Sequence, residues 1–290
     1  MRNLGEAKVD LSEFHPALGS PWAIPAPVRG LFSSEGFRLK AHPKPGEWLA
    51  QHDEGGQSLK DFVNSRPNRP DAQRHVIYLQ PMGDWRAPTC PSLAALAHYA
   101  RSFFSRSVEV LPAIALSQLQ VTERQNPHEG QRQLLTTDIL RLLARRLPED
   151  AFCMLGISLV DLYPDPNWNF VFGQASLRNR VGVYSFARYM AEGDAHLTLR
   201  RSLKVMAHEI GHMYGLTHCT YFECGLNGSN YLDESDRRPI HLCPVCLRKL
   251  DWSSNFDLAK RYFELDHAYR MLGFRDSAEF VRGRVRRMRN

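Results

Sequence analysis

The chain has 290 residues, 43% of them hydrophobic and 23% charged, with a formal net charge of +6. That length and balance exclude a wholly disordered chain and suit a soluble globular protein, built as one large domain or two small ones. Arginines 282, 284, 286, 287 and 289 lie in the C-terminal stretch RGRVRRMRN and account for most of the positive excess. Net charge therefore gives little support to nucleic-acid binding by the whole chain.

The opening residues, MRNLGEAKVDLSEF, are charged throughout and lack the apolar stretch of a secretory signal. No run of about 18 apolar residues occurs, so no membrane span or membrane partner is expected. With six cysteines and no such signal, metal ligation is expected over disulfides, in a reducing compartment: cytosol, or cytosol and nucleus.

Residues 1–70 are rich in breakers, with Pro16, Pro21, Pro25, Pro27, Pro43, Pro45, Pro67 and Pro70. An irregular arm is expected, with one short helix near Gln57–Val63. Trp22, Phe32, Phe37 and Trp48 are too aromatic for a free linker, so the arm is expected to pack on the body. From His75 strands and helices alternate. HVIYLQP (75–81) reads as a buried strand, and CPSLAALAHYARSFF (90–104) as an amphipathic helix with Pro91 in its first turn. SVEVLPAIAL (107–116) reads as a strand bent or placed at an edge by Pro112. RQLLTTDILRLLARRL (132–147) has helical spacing, and CMLGISLVDLYP (153–164) reads as one strand. NFVFGQAS (169–176) and VGVYSF (181–186) suggest a hairpin. A helix over 198–214 carries the apolar stripe Leu199, Leu203, Met206, Ile210 and Met213. Two more helices are expected, over 255–272 and about 277–288. No internal repeat, phosphate-binding loop or GxGxxG occurs.

The chemistry concentrates in residues 208–246. His208, His212 and His218 stand at the spacing H-x3-H-x5-H, with Glu209 directly after the first. On a helix, residues i and i+4 share a face, so His208 and His212 present imidazoles to one ion. Glu209 is placed to take a proton from an attacking water. Gly215 lets the chain turn out of the helix and brings back His218 as third ligand, the spacing of a metzincin signature. Cys219, Cys224, Cys243 and Cys246 follow as C-x4-C and C-x2-C, two pairs suited to a tetrahedral four-thiolate zinc. Two zinc ions are therefore expected, one catalytic and one structural. They meet at the His218–Cys219 peptide bond, so the structural ion is expected to organise the catalytic one.

Weaker candidates have plainer readings. His241, beside the cysteines, reads as a surface or supporting histidine. Cys90 and Cys153 read as buried thiols. Asp161, at a strand end, is a candidate for steering substrate, and Tyr184 or Tyr231 for polarising a scissile carbonyl, though such residues more often only pack. The arginine tail reads as a solvated helix face.

HEIGHMYGLTHC with the four cysteines, together with NFVFGQAS, DLYP and LCPVCLRKL, resembles the eukaryotic branch of the archaemetzincin family of zinc metallopeptidases. The likeness runs through most of the chain. It implies catalytic zinc on His208, His212 and His218, Glu209 as general base, and a second zinc on Cys219, Cys224, Cys243 and Cys246. It also implies peptidase activity on a peptide or protein substrate, aminopeptidase activity in the mammalian branch. One position departs: Leu226 stands where the family usually has the methionine beneath the zinc ligands, and it is similar in volume and apolar.

The expected fold is α+β and zincin-like: a twisted mixed sheet, an active-site helix carrying HExxH, and a C-terminal subdomain stabilised by the four-cysteine zinc. The arm spans 1–70 and the metzincin-like catalytic domain 71–290. Within the latter, the three-histidine site lies on and after helix 198–214, the four-cysteine site spans 219–246, and the C-terminal helices lie in 255–290. Two other function classes carry different expectations. A catalytically weak or silent zinc protein that binds peptides or a partner has its support in Leu226. A zinc-stabilised nucleic-acid adaptor would use the four-cysteine module and the arginine tail, with salt-dependent binding and no use for Glu209, and nucleic acid is not the expected partner.

Overall fold

The structure, a computed structural model, describes residues 11–85, 90–191 and 193–289; the first ten residues of the arm and the last residue of the tail lie outside the described residues. The arm holds three short helices, α1 (Ala26–Arg29), α2 (Trp48–Gln51) and α3 (Leu59–Asn64). Then come β1 (Val76–Met82), α4 (Leu93–Phe104), β2 (Val108–Val110), β3 (Glu123–Gln125), β4 (Arg132–Leu135) and α5 (Thr136–Arg145). Four strands follow, β5 (Ala151–Ser158), β6 (Asp161–Tyr163), β7 (Gly173–Ser176) and β8 (Val181–Ser185). The chain ends in α6 (Ala195–Met213), α7 (Leu232–Arg237), α8 (Pro244–Ser254), α9 (Leu258–Met271) and α10 (Arg275–Arg286).

The main sheet has the order β2-β1-β5-β8-β7. The first four strands run parallel and β7 runs antiparallel at the edge. Alternate side chains feed two cores, as the pleat requires of a sheet covered on both faces. Ile77, Leu79, Leu155, Ile157 and Tyr184 join one core with α4, α6, α9 and the arm. Val76, Tyr78, Met154, Val181 and Val183 join the other, against α5. A second sheet has the order β3-β4-β6.

Three sequence expectations need correction. The helix expected over 132–147 is β4 followed by α5, with no Gly or Pro to mark the change. The strand expected over 153–164 is β5 in the main sheet and β6 in the small one, because the chain crosses between sheets at Leu159 and Val160. Pro91 lies outside α4: Ser92 is its N-cap and accepts from Ala95 N. The helix α8, which begins directly at Cys243, was missed.

The arm joins the main core, with Leu18, Leu31, Phe32 and Phe62 all 0% exposed. The arginine tail fastens it. Buried Arg284 donates to the carbonyls of Gly30, Leu31, Ser33 and Glu35, and Arg287 pairs with Glu35. Hydrogen bonds to a charged group are worth about 1.5–3 kcal/mol each, which makes Arg284 a structural anchor. The reading of the tail as a wholly solvated face is therefore wrong for Arg284, and the nucleic-acid reading loses that cation.

Candidate functional site

The helix α6 begins at the N-cap Asp194, whose carboxylate accepts from Leu197 N at 2.8 Å. Leu203, Met206, Ile210 and Met213 are fully buried and fix the rotation of α6 against the sheet. His208, Glu209 and His212 consequently line a cleft of about 730 Å³ between α6 and β7. At the helix end Gly215 adopts φ 97°, and a Cβ there would lie 2.8 Å from Pro67 Cβ. Both facts require glycine, and the turn returns His218 to the cleft.

Among the described residues, two groups of metal-ligating side chains converge: His208, His212 and His218, and Cys219, Cys224, Cys243 and Cys246. Within each group one ligand atom per residue lies within 4.8 Å of the others. The histidine tautomers follow from their partners. His208 Nδ1 faces the Gly225 carbonyl at 3.0 Å, His212 Nδ1 the Leu216 carbonyl at 2.7 Å, and His218 Nδ1 the Glu54 carboxylate at 2.8 Å. Each partner can only accept, so each Nδ1 carries the hydrogen and each Nε2 presents a lone pair. Arg238 Nη1, 3.2 Å from His208 Nδ1, finds its acceptor in the Asn227 carbonyl instead.

That arrangement sets two lone pairs against each other, since His208 Nε2 and His212 Nε2 are 3.0 Å apart. The rings are held neutral. Burial, then the neighbouring histidines and Arg238, push His208 well below its usual pKa, and burial and His218 bring His212 to about 4. A cation between the nitrogens relieves the repulsion. Two nitrogens on one tetrahedral zinc stand about 3.3 Å apart given bonds of 2.0–2.1 Å, so the set fits the ion.

The four cysteines are buried and unpaired by disulfides. Cys219 Sγ and Cys243 Sγ are 3.6 Å apart, against about 3.8 Å for two thiolates on one zinc. Backbone donors already point at the sulfurs: Cys243 N to Cys224 Sγ at 3.2 Å, and Cys246 N to Cys243 Sγ at 3.5 Å. Hydrogen bonds from Cys224, Cys243 and Cys246 pull the Cys219 pKa well down, while burial pushes Cys224 and Cys243 up. Cys224 and Cys243 thus resist ionisation in the buried cluster, and a dication there would supply the positive charge that favours their thiolates.

The two groups share a wall. Gly225, whose carbonyl holds His208, follows Cys224, and Leu226 packs beneath α6, 3.1 Å from where a Cβ on Gly211 would stand. Asn227 binds the loop together, donating to the Cys219 and Phe222 carbonyls and accepting from Cys224 N. Leu226 thus occupies the floor that the resemblance implies for methionine.

Glu209 is buried beside β7, so close that a Cβ on Gly173 would fall 2.6 Å from Glu209 Oε1. Burial raises its pKa to about 8, against the opposing pull of Arg238. Sequence reading missed Arg238, Glu54, Trp48 and Trp168 on the cleft wall. The aromatic content of the arm was the one available signal, and it was assigned to packing.

The weaker candidates fall elsewhere. Tyr184 is buried in the core and Tyr231 sits near Glu47; neither lines the cleft. Asp161 is buried in an ion pair with Arg188 at 2.8 Å and accepts from Gln133, a structural role. His241 is no surface group: it stacks on Phe280 at 3.7 Å, and burial holds its pKa down at about 3. Cys153 is buried in the core and its pKa is raised by burial, whereas Cys90 is only half-buried.

Lys204, one turn before His208, is buried and donates to the carbonyls of Ser235 (2.6 Å) and Asp236 (3.1 Å). Burial, with Arg238, Arg200 and Arg201 against Asp236, lowers its pKa from 10.5 to about 7. Between these two values the unfolded chain binds the extra proton, so stability rises with pH there, by up to about 1.4 kcal/mol per unit. Melting temperatures at pH 7, 8 and 9 are expected to climb less steeply in Lys204→Met. Equal slopes in the two proteins would remove Lys204 as the cause.

Comparison with known proteins gives a consistent result. A family model described as Peptidase family M54 matches residues 138–252. Archaemetzincin-2 of Rattus norvegicus is 38% identical over 251 residues, covering 74% of this chain and 70% of the relative. Archaemetzincin-1 of Homo sapiens is 32% identical, covering 76% of this chain and 51% of the relative. The crystal structure of archaemetzincin from Methanopyrus kandleri superposes with a TM-score of 0.51 at 30% identity, over 62% of this chain and 95% of that one.

Proposed function

We propose that this chain, which belongs to the archaemetzincin family of zinc metallopeptidases, hydrolyses peptides in the cleft above α6, with Glu209 as proton carrier. His208, His212 and His218 would hold the catalytic zinc through Nε2, and Cys219, Cys224, Cys243 and Cys246 a structural one. When bound, the catalytic zinc polarises a carbonyl and makes a water at its open position acidic at neutral pH. The observation that carries this reading is the convergence of three histidines with every Nδ1 engaged and the Nε2 atoms of His208 and His212 facing each other.

The chain's own groups account for the rest. β7 is an edge strand of intermediate burial, so its free backbone side suits a substrate laid down as an added strand. Trp48, Trp168, Phe170 and Phe172 line the cleft and favour apolar substrate side chains. A Glu209 carboxylate oxygen accepts a proton from the attacking water and returns it to the departing amine. Among the described residues, the carboxylates on the cleft wall are Glu54, Asp165 and Glu209. Glu54 is engaged by His218 and Glu209 by proton transfer, which leaves exposed Asp165 to meet a substrate ammonium. Aminopeptidase action on short peptides follows, in which acetylated peptides should resist cleavage.

A peptide-library assay with metal analysis tests the reading. The purified protein is expected to carry two zinc ions per chain, to lose cleavage on chelation, and to regain it with added zinc. Cleavage that persists after the histidine-site metal is stripped would sink the proposal.

A further inference from the structure

The arm reaches into the metal centre from outside the residues that the family model matches, 138–252. His208 and His212 are oriented by backbone carbonyls, of Gly225 and Leu216. His218 differs. It lies on an irregular loop after Gly215, and its Nδ1 donates to a side-chain carboxylate, Glu54, from 164 residues earlier in the chain.

The loop itself is clamped by the same segment. Gln57 Nε2 donates to the Gly215 carbonyl at 3.1 Å, and Gln57 Oε1 accepts from Thr217 N at 3.3 Å and from buried Lys249 Nζ at 3.0 Å. Trp48 stands edge-on to the His218 ring at 4.8 Å and stacks on His52 at 3.8 Å. Trp48 is seated in turn: its N donates to buried Glu234 at 3.0 Å, and Gly228 makes room, since a Cβ there would fall 2.4 Å from the indole.

We propose that Glu54 is a positioning residue for the third histidine, and that residues 47–57 form a built-in clamp on the histidine metal site. The inference rests on the metal-centre reading above. Its chemistry is specific: an anionic acceptor on Nδ1 fixes the ring plane, strengthens Nε2 as a donor, and offsets part of a dication's charge. A neutral carbonyl provides only the first of these in full.

The test reads metal directly, without substrate. Zinc affinity of the histidine site is measured by competition with a chromophoric chelator, and its geometry by visible absorption of the cobalt-substituted protein. Glu54→Ala is expected to bind histidine-site metal about 10–100-fold more weakly and to shift the cobalt band, while four-thiolate absorption and the melting temperature hold. Glu54→Gln, whose amide oxygen still accepts from Nδ1, should fall between Glu54→Ala and wild type. Wild-type affinity and spectrum in Glu54→Ala would overturn the proposal; should that variant fail to fold, wild-type affinity in Glu54→Gln would do so. A wild-type protein that holds metal at the histidines yet cleaves nothing overturns the peptidase reading alone. One that holds none there overturns both.

Discussion

Glu209→Gln is expected to abolish peptide hydrolysis while leaving both metal sites filled. The substitution keeps size and shape, which matters because Gly173 already leaves Glu209 no spare room. It removes only the ability to hold and return a proton, a function worth about 10²–10⁴-fold in general acid–base catalysis. Metal retention is expected because the convergent ligand atoms belong to His208, His212 and His218. Burial raises the Glu209 pKa to about 8, and a dication beside it would pull the carboxyl back toward ionisation. In its ionised form the group accepts a proton from water, as the proposed role demands. Turnover by purified wild type and variant, with zinc counted in both, decides the matter. Wild-type-like turnover in the variant would remove Glu209 from the chemistry and return the chain to the class of silent zinc proteins.

The part of this site legible in the sequence is the part governed by local geometry. A helix dictates that His208 and His212 share a face, and the cysteine pairs announce themselves by spacing. What was not legible depends on contacts between distant segments. Nothing in EGGQ marks Glu54 as the partner of His218 or Gln57 as a clamp, because those roles exist only once the arm crosses the cleft. Arg284 looked like one more charge in a basic run, yet it alone among the tail's arginines is shown buried, against four carbonyls of the arm. The fold shows the same division. The apolar stripe of α6 is periodic and was readable, whereas β4 runs into α5 and β5 into β6 without a breaker. Hydrophobic periodicity reports that a segment is buried and says little about where one buried element ends and the next begins. Cysteine is no favoured N-cap, so α8 stayed hidden behind a metal motif although the Cys243 sulfur caps it.

That capping makes Cys243 the residue whose loss should travel furthest. Its sulfur accepts from Cys246 N and faces Cys219 Sγ at 3.6 Å, so Cys243→Ser removes a ligand and loosens the first turn of α8 together. Structural zinc contributes on the order of 10 kcal/mol in small zinc modules, comparable with the whole net stability of a domain. A marked fall in melting temperature is therefore expected. The sharper expectation concerns the other site. The backbone passes from His218 to Cys219 in one step, and the loop after Cys224 supplies both the Gly225 carbonyl for His208 and Leu226 beneath α6. If the thiolate site organises this loop, histidine-site affinity drops in the folded variant, although no histidine has changed. Cobalt absorption at low temperature, where the variant stays folded, reads the two sites separately. Cys153→Ser serves as control, since that thiol is buried but belongs to neither group of metal-ligating side chains, and it should leave both sites filled. Full histidine-site affinity in folded Cys243→Ser would show the two centres to be independent despite their shared wall. A parallel loss would make the four-cysteine site part of the catalytic apparatus, acting through the loop it holds.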